Sequence, residues 1–361
     1  MIEVFGPRYR YSGERLTKPE VIYVIDHHYD EEEQRFHFLD LLANSDCDPR
    51  EHVIVFDHVN HDDEFPDLHT VCLPMFLAGA CEEFKNSNIQ PNWTNKTSVF
   101  NFMINKPRPH REFLLLVLGY YGLHTDTYSL PWNDTYIGRS ALNKYTTNNL
   151  YQKIIDTELT FNTQTYKFGE EVAMDRGIRN GSYNNAETYN GLLKNSVFEP
   201  SCISLITEPV FFERETIHTE KTLMSMLAGT LPIWFGGWRL PEFMERMGFD
   251  IFSDIIDHSY QNLADPFDRC HEAIVRNLDL LKDFTRTKNI VQSLTTRFKA
   301  NVDHLLTNPF FEHCMTTIGK HPEHIKIQLA SIIPQYNDGI VHRAFRYRTD
   351  YQLLGHGPWK L

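Results

Sequence analysis

The sequence has no long apolar run. Its longest, Phe113–Leu118, is far too short to cross a bilayer, so membrane insertion is not expected. Paired cysteines are missing as well. Cys47, Cys72, Cys81, Cys202, Cys270 and Cys314 form no CxxC spacing and no dense framework, which suggests reduced thiols in a cytoplasm. The first residues, MIEVFGPRYRYSGERL, hold no apolar signal region. There is no Walker A loop, no GxGxxG, no HExxH and no GxSxG elbow, which removes the commonest ATPase, dehydrogenase and hydrolase readings. No internal repeat or low-complexity segment is visible.

What is present describes a globular chain. Its 361 residues are 41% hydrophobic and 13% aromatic, enough for two domains. The net charge of −13 is uneven: residues 1–100 hold 8 Lys+Arg against 19 Asp+Glu, and the remainder 27 against 29. The acidic first part argues against a large nucleic-acid footprint on that half.

Along that part, 21–25 (VIYVI) and 52–56 (HVIVF) read as buried strands, 34–44 as a helix, and 68–77 as a strand and turn. Each buried strand ends in acids and histidines: Asp26, His27, His28 and Asp30, then Asp57, His58, His61, Asp62 and Asp63. The spacing matches no defined metal motif, and no metal is expected. A solvated acidic loop fits these clusters. A general base fits too, with Asp57 and Asp26 the candidates. Strands joined by crossovers suggest an α/β protein with a parallel sheet and a site at the strand ends.

Residues 84–97 are polar and turn-rich, a plausible domain boundary. A strand at 98–104 then runs into Lys106, Arg108 and Arg111, a phosphate-sized cationic patch before a helix at 112–119. Arg111 enters the helix N-terminus, where an anion would sit.

The stretch 204–237 carries the most chemistry. It reads as strand, loop, helix, strand and glycine turn. Thr219 sits at the helix cap, Ala228-Gly229 at its end, a buried strand at 231–235, and Gly236-Gly237 allows a close backbone approach. Glu220 and Lys221 open the helix beside unpaired N–H groups. A carboxylate there suits a ribose diol, and an ammonium suits a phosphate. The same residues also fit an ordinary βαβ unit with a solvated lysine.

Residues 124–195 read as loops around one or two helices. Further on, the expectations are a helix at 241–247, a strand at 249–252, a helix from the Asp265 cap to about 283, and another over 287–306. The tail HRAFRYRTDYQLLGHGPWKL mixes arginines with aromatics, as a nucleic-acid contact or a segment packed back on the body would.

Two motifs in order carry a family resemblance. HTEKTLMSMLAGTLPIWFG resembles the donor signature of the alpha-1,3-fucosyltransferase family, and FNFMINKPRPHREFLLL resembles that family's other donor motif. The similarity to glycosyltransferases of bacteriophages continues through GGWRLPEFMERMGFDIFSDIIDHSY, so that roughly residues 98–285 are covered. The resemblance implies an α/β fold of two Rossmann-like domains facing a cleft (GT-B-like). The domains would be 1–95 on the acceptor side and 96–310 for the donor, with 311–361 packing back on the body. It implies that Arg111 and Lys221 hold the donor diphosphate and Glu220 the ribose. Glu208 would lie near the donor sugar or its phosphate, and Gly236 would close the donor strand. The segment around Glu208 reads LITEP, without the Asn and Ser of the family pattern. No metal and no tightly bound cofactor would be needed, only a UDP- or GDP-sugar as cosubstrate.

The function expected is therefore transfer of a sugar from a nucleotide sugar to an acceptor hydroxyl. The acceptor would be a hydroxymethylated base of phage DNA, contacted by the loop 106–111 and the tail arginines at 343–348, or alternatively a glycan or cell-surface polymer. A non-catalytic sugar- or nucleotide-binding module, and a hydrolase using the paired Asp loops, are the competing classes.

Overall fold

Two parallel sheets organise the chain. The computed structural model describes residues 2–5, 16–25, 37–56, 65–86, 92–102, 109–123, 149–155, 159–161, 164–166, 198–208 and 218–330. The first sheet contains β1 (Ile2–Phe5) and β2 (Val21–Ile25), then, after α1 (His37–Ala43), β3 (Val53–Phe56) and β4 (His69–Cys72). They pair in that order, all parallel. β3 (VIVF) is buried at every position, as a continuous β-branched run covered on both faces should be. In α1, Leu41 and Leu42 face a small core with Leu16, Ile22, Ile54 and Phe56. Leu39, in the same helix, is 39% exposed.

The chain then departs from the sequence expectation. Within residues 68–77 the strand β4 ends at Cys72, and a full helix, α2 (Met75–Asn86), begins at Met75. Gly79 in its middle weakens the local helix signal, and packing forms the helix instead. Leu77, Ala80, Cys81 and Phe84 are all buried in the core.

The second sheet begins with β5 (Ser98–Phe102), followed by α3 (Pro109–Tyr120), α4 (Asn149–Ile155) and a small antiparallel pair, β6 (Leu159–Phe161) and β7 (Gln164–Tyr166). Next come β8 (Ser201–Thr207), α5 (Glu220–Leu227) and β9 (Leu231–Phe235). The order β5-β8-β9 is parallel throughout, and every residue of the three strands is buried. A buried polar seam ties the layers: Asn101 Nδ2 donates to Ser204 Oγ at 2.9 Å, and Thr230 Oγ1 bonds both Ser204 and Ser225. Such a seam fixes register because a slipped strand would strand its polar atoms.

After β9 come α6 (Leu240–Arg246), α7 (Pro266–Arg276), α8 (Leu278–Lys282), α9 (Phe284–Ser293), α10 (Thr295–Leu305), α11 (Pro309–Gly319) and α12 (Glu323–Ala330). Asp265 caps α7 with Pro266 at the first position, as read. The expected helix to 283 is broken at Asn277, whose side chain bonds the backbone of Asp257 and Ala273. The helix expected over 287–306 is likewise two helices, α9 and α10. No strand forms at 249–252. The chain turns there at Phe252 (φ 59°), and Arg297 clamps Asp250 and Asp254 while standing 4.8 Å over the Phe252 ring.

One face of the second sheet, with Phe100, Phe102, Ile203, Leu205 and Ile233, packs under α3, α4 and α7–α10. The other face presents Ile206 and Trp234 to a core that also holds Val53, Val55, Phe84, Met224 and Phe310. α11 packs on α2, α12 reaches β3, and Asn308 Nδ2 donates to Ala78 O at 2.9 Å.

The segment before β5 clasps the C-terminal end of α5. Trp93 Nε1 donates to Leu227 O and Lys96 Nζ to Ala228 O, each at 2.8 Å. Gly229 (φ 59°) takes the left-handed position foreseen for it, and an added Cβ would stand 2.6 Å from Trp93 Cδ1. Lys96 is fully buried, and burial pushes its ammonium down to about 7. Between that value and the ordinary lysine range the unfolded chain holds a proton that the folded chain has released, so stability rises with pH there and levels off below. Wild type should therefore gain denaturant midpoint on Lys96→Met as pH is raised from about 6 to about 9.5. A midpoint difference independent of pH would contradict this.

Among the described residues, no helix is long and apolar enough to cross a membrane.

Candidate functional site

Parallel strands deliver their carboxyl ends to one edge of a sheet, and the loops there are free to carry chemistry. At that edge β5 leads toward α3, β8 ends at Thr207-Glu208, and β9 runs into Gly236-Gly237. Residues 207 and 208 tie the three ends together. Glu208 N–H donates to Phe235 O at 2.8 Å, continuing the β8–β9 pairing. The Glu208 carbonyl accepts from His110 Nε2 at 2.9 Å, and the Thr207 carbonyl accepts from Arg111 Nη2 at 3.2 Å. The first turn of α3 is thus anchored to the end of β8. Pro109 starts that helix three residues earlier than expected, which places His110 and Arg111 inside it.

The Glu208 carboxylate anchors the second helix. It is 0% exposed, yet accepts three hydrogen bonds: Thr219 N (3.0 Å), Thr219 Oγ1 (2.6 Å) and Thr222 Oγ1 (2.8 Å). Lys221 Nζ lies 3.8 Å away and donates to Thr219 Oγ1 at 2.7 Å. A buried carboxylate is tolerable when its oxygens are filled and a cation is near. Thr219 occupies the N-cap position, but its hydroxyl makes no cap bond and goes to Glu208 instead.

A second layer holds this arrangement. His218 Nε2 donates to Leu240 O at 2.9 Å, linking the start of α5 to the start of α6. Its Nδ1 faces Thr222 Oγ1 at 3.1 Å, and Trp234 Nε1 donates to the same hydroxyl at 2.9 Å. Phe243 stacks on the His218 ring with centroids 5.2 Å apart. Composition and spacing did not single out His110, His218, Thr222 or Arg239. All four lie within the stretches that carry the family resemblance, and His218 immediately precedes the Thr-Glu-Lys start of the helix.

Of the residues expected to form a site, Arg111, Glu208, Glu220, Lys221 and Gly236 all fall at these three neighbouring strand ends. Arg111 is buried and Lys221 partly exposed, while Glu220 is the first residue of α5. Asp26 and Asp57 follow β2 and β3, which are neighbours in the first sheet. Both acids lie outside the described residues, as do Lys106, Arg108, the rest of both acidic loops and the tail from 331. Among the described residues, no group of three or more His, Cys, Asp or Glu side chains is arranged to hold a metal.

A scan against protein-family models returned no match, and neither curated proteins nor solved structures gave one.

Proposed function

We propose that this protein is a glycosyltransferase that moves a sugar from a nucleotide-sugar donor to an acceptor hydroxyl. The observation that carries the reading is the gathering of Arg111, Lys221 and the N-terminus of α5 at adjacent ends of one parallel sheet, pinned by Glu208. In this reading the two sheets are the cores of two Rossmann-like domains facing a cleft.

The chemistry follows from charge. As the bond from the sugar to the diphosphate breaks, negative charge grows on the leaving diphosphate and the sugar becomes oxocarbenium-like. Arg111, Lys221 and the first N–H groups of α5 neutralise that growth without reorganising. Glu220 takes the ribose hydroxyls. Glu208 has its oxygens filled by Thr219 and Thr222, which supports a positioning role rather than direct contact with the sugar. The acceptor hydroxyl gives its proton to a base at the carboxyl ends of the first sheet, Asp57 or Asp26.

The acceptor we favour is a hydroxymethylated base of phage DNA, with a glycan as the alternative that the acidic first hundred residues favour. The test is transfer of labelled sugar from UDP- and GDP-sugars to hydroxymethylcytosine DNA and to a glycan panel. Labelled DNA is the expected result. Labelled glycan beside bare DNA would end the DNA reading, and no transfer to either would end the transferase reading.

A further inference from the structure

The positive charge gathered at these strand ends is small for a diphosphate. Glu208 stands 3.8 Å from Lys221 and offsets much of its charge, and the buried Arg111 gives one Nη to Thr207 O. A leaving diphosphate gains charge during transfer, so a further cation is called for.

Arg239 is placed to supply it. It follows β9 by four residues, and its side chain is 61% exposed. Its backbone sits in the left-handed region (φ 57°, ψ 32°), which L side chains rarely adopt. The buried Gln261 holds it there, with Oε1 accepting the Arg239 N–H at 2.9 Å. The next carbonyl, Leu240 O, accepts from His218 Nε2, and His218 immediately precedes the N-cap of α5. The turn that carries Arg239 is thus tied, through its neighbour Leu240, to the residue three before Lys221. Its guanidinium lies 5.5 Å from the Trp238 ring centroid, a contact that orients the cation while leaving N–H donors for an anion. Glu242 is 3.7 Å away, but both partners are exposed, so that pair competes weakly.

We infer that Arg239 is a further donor-binding residue, contacting the diphosphate of the nucleotide sugar. This rests on the nucleotide-sugar reading above.

Titration calorimetry of the full chain with GDP, UDP and the matching nucleosides tests it. Wild type is measured first. Arg239→Gln should weaken the diphosphate that binds by about tenfold or more, because a charge-assisted contact is lost. The same variant should leave nucleoside affinity and the unfolding midpoint unchanged. Arg239→Lys should recover part of the loss, since an ammonium keeps the charge without the fork. Diphosphate affinity within about twofold of wild type in Arg239→Gln would overturn the assignment while leaving the nucleotide reading intact. Wild type that binds neither diphosphate would overturn both.

Discussion

Glu208→Ala should cost the fold about 2–4 kcal/mol, the loss expected when a buried acceptor of charge-assisted hydrogen bonds is removed. The substitution leaves the Thr219 N–H and the hydroxyls of Thr219 and Thr222 without their acceptor, and removes the carboxylate that stands 3.8 Å from Lys221. A buried donor left unsatisfied costs about 1–3 kcal/mol, and rotation of the two hydroxyls offsets part of the total. The start of α5 loosens as well, so nucleotide affinity should fall with stability. Glu208→Gln separates the two effects. Its amide oxygen can still accept from Thr219 N and Thr222 Oγ1, and its NH2 group can donate to Thr219 Oγ1, so most of the stability should return. The check is a shift of the denaturant midpoint at unchanged slope. An alanine variant within about 1 kcal/mol of wild type would show that Glu208 does not pin the site.

Much of the second sheet was legible because its signals are local. SLIT at 204–207, the end of a strand that starts at Ser201, and LPIWF are rich in apolar and β-branched residues, and the turn at Gly229 needs the residue that is there. The positions of Arg111, Glu220 and Lys221 were legible for the same reason, since each opens a helix after a strand.

What the sequence concealed is tertiary. Glu208 and Thr219 are eleven residues apart, and nothing local says that a carboxylate at the end of one strand will fix the start of the next helix. Lys96 lies in a polar stretch that reads as a boundary, yet it is buried against a carbonyl 132 residues away. Residues 249–252 have the composition of a strand, but the Arg297 clamp on Asp250 and Asp254 turns them into a loop.

The second large effect is expected at Lys221. Its ammonium is the partly exposed cation of the described site closest to the start of α5, bonded on one side to Thr219 Oγ1. Removing it should weaken a diphosphate by about ten- to a hundredfold, the value of a charged hydrogen bond in a partly desolvated site. Removal also takes a cation from beside the buried Glu208 carboxylate, so the unliganded variant should melt lower, but the three hydrogen bonds to Glu208 should keep it folded. The direct measurement is thermal unfolding of wild type and Lys221→Ala with UDP and GDP. A ligand at a hundred times its Kd stabilises by about 2.7 kcal/mol, so wild type should melt clearly higher with one of the two. Lys221→Ala at the same concentration should lose about half of that rise for a tenfold weakening and more than about four-fifths for a hundredfold one. Wild type unmoved by either nucleotide, or Lys221→Ala stabilised as fully as wild type, would contradict a diphosphate site at these strand ends.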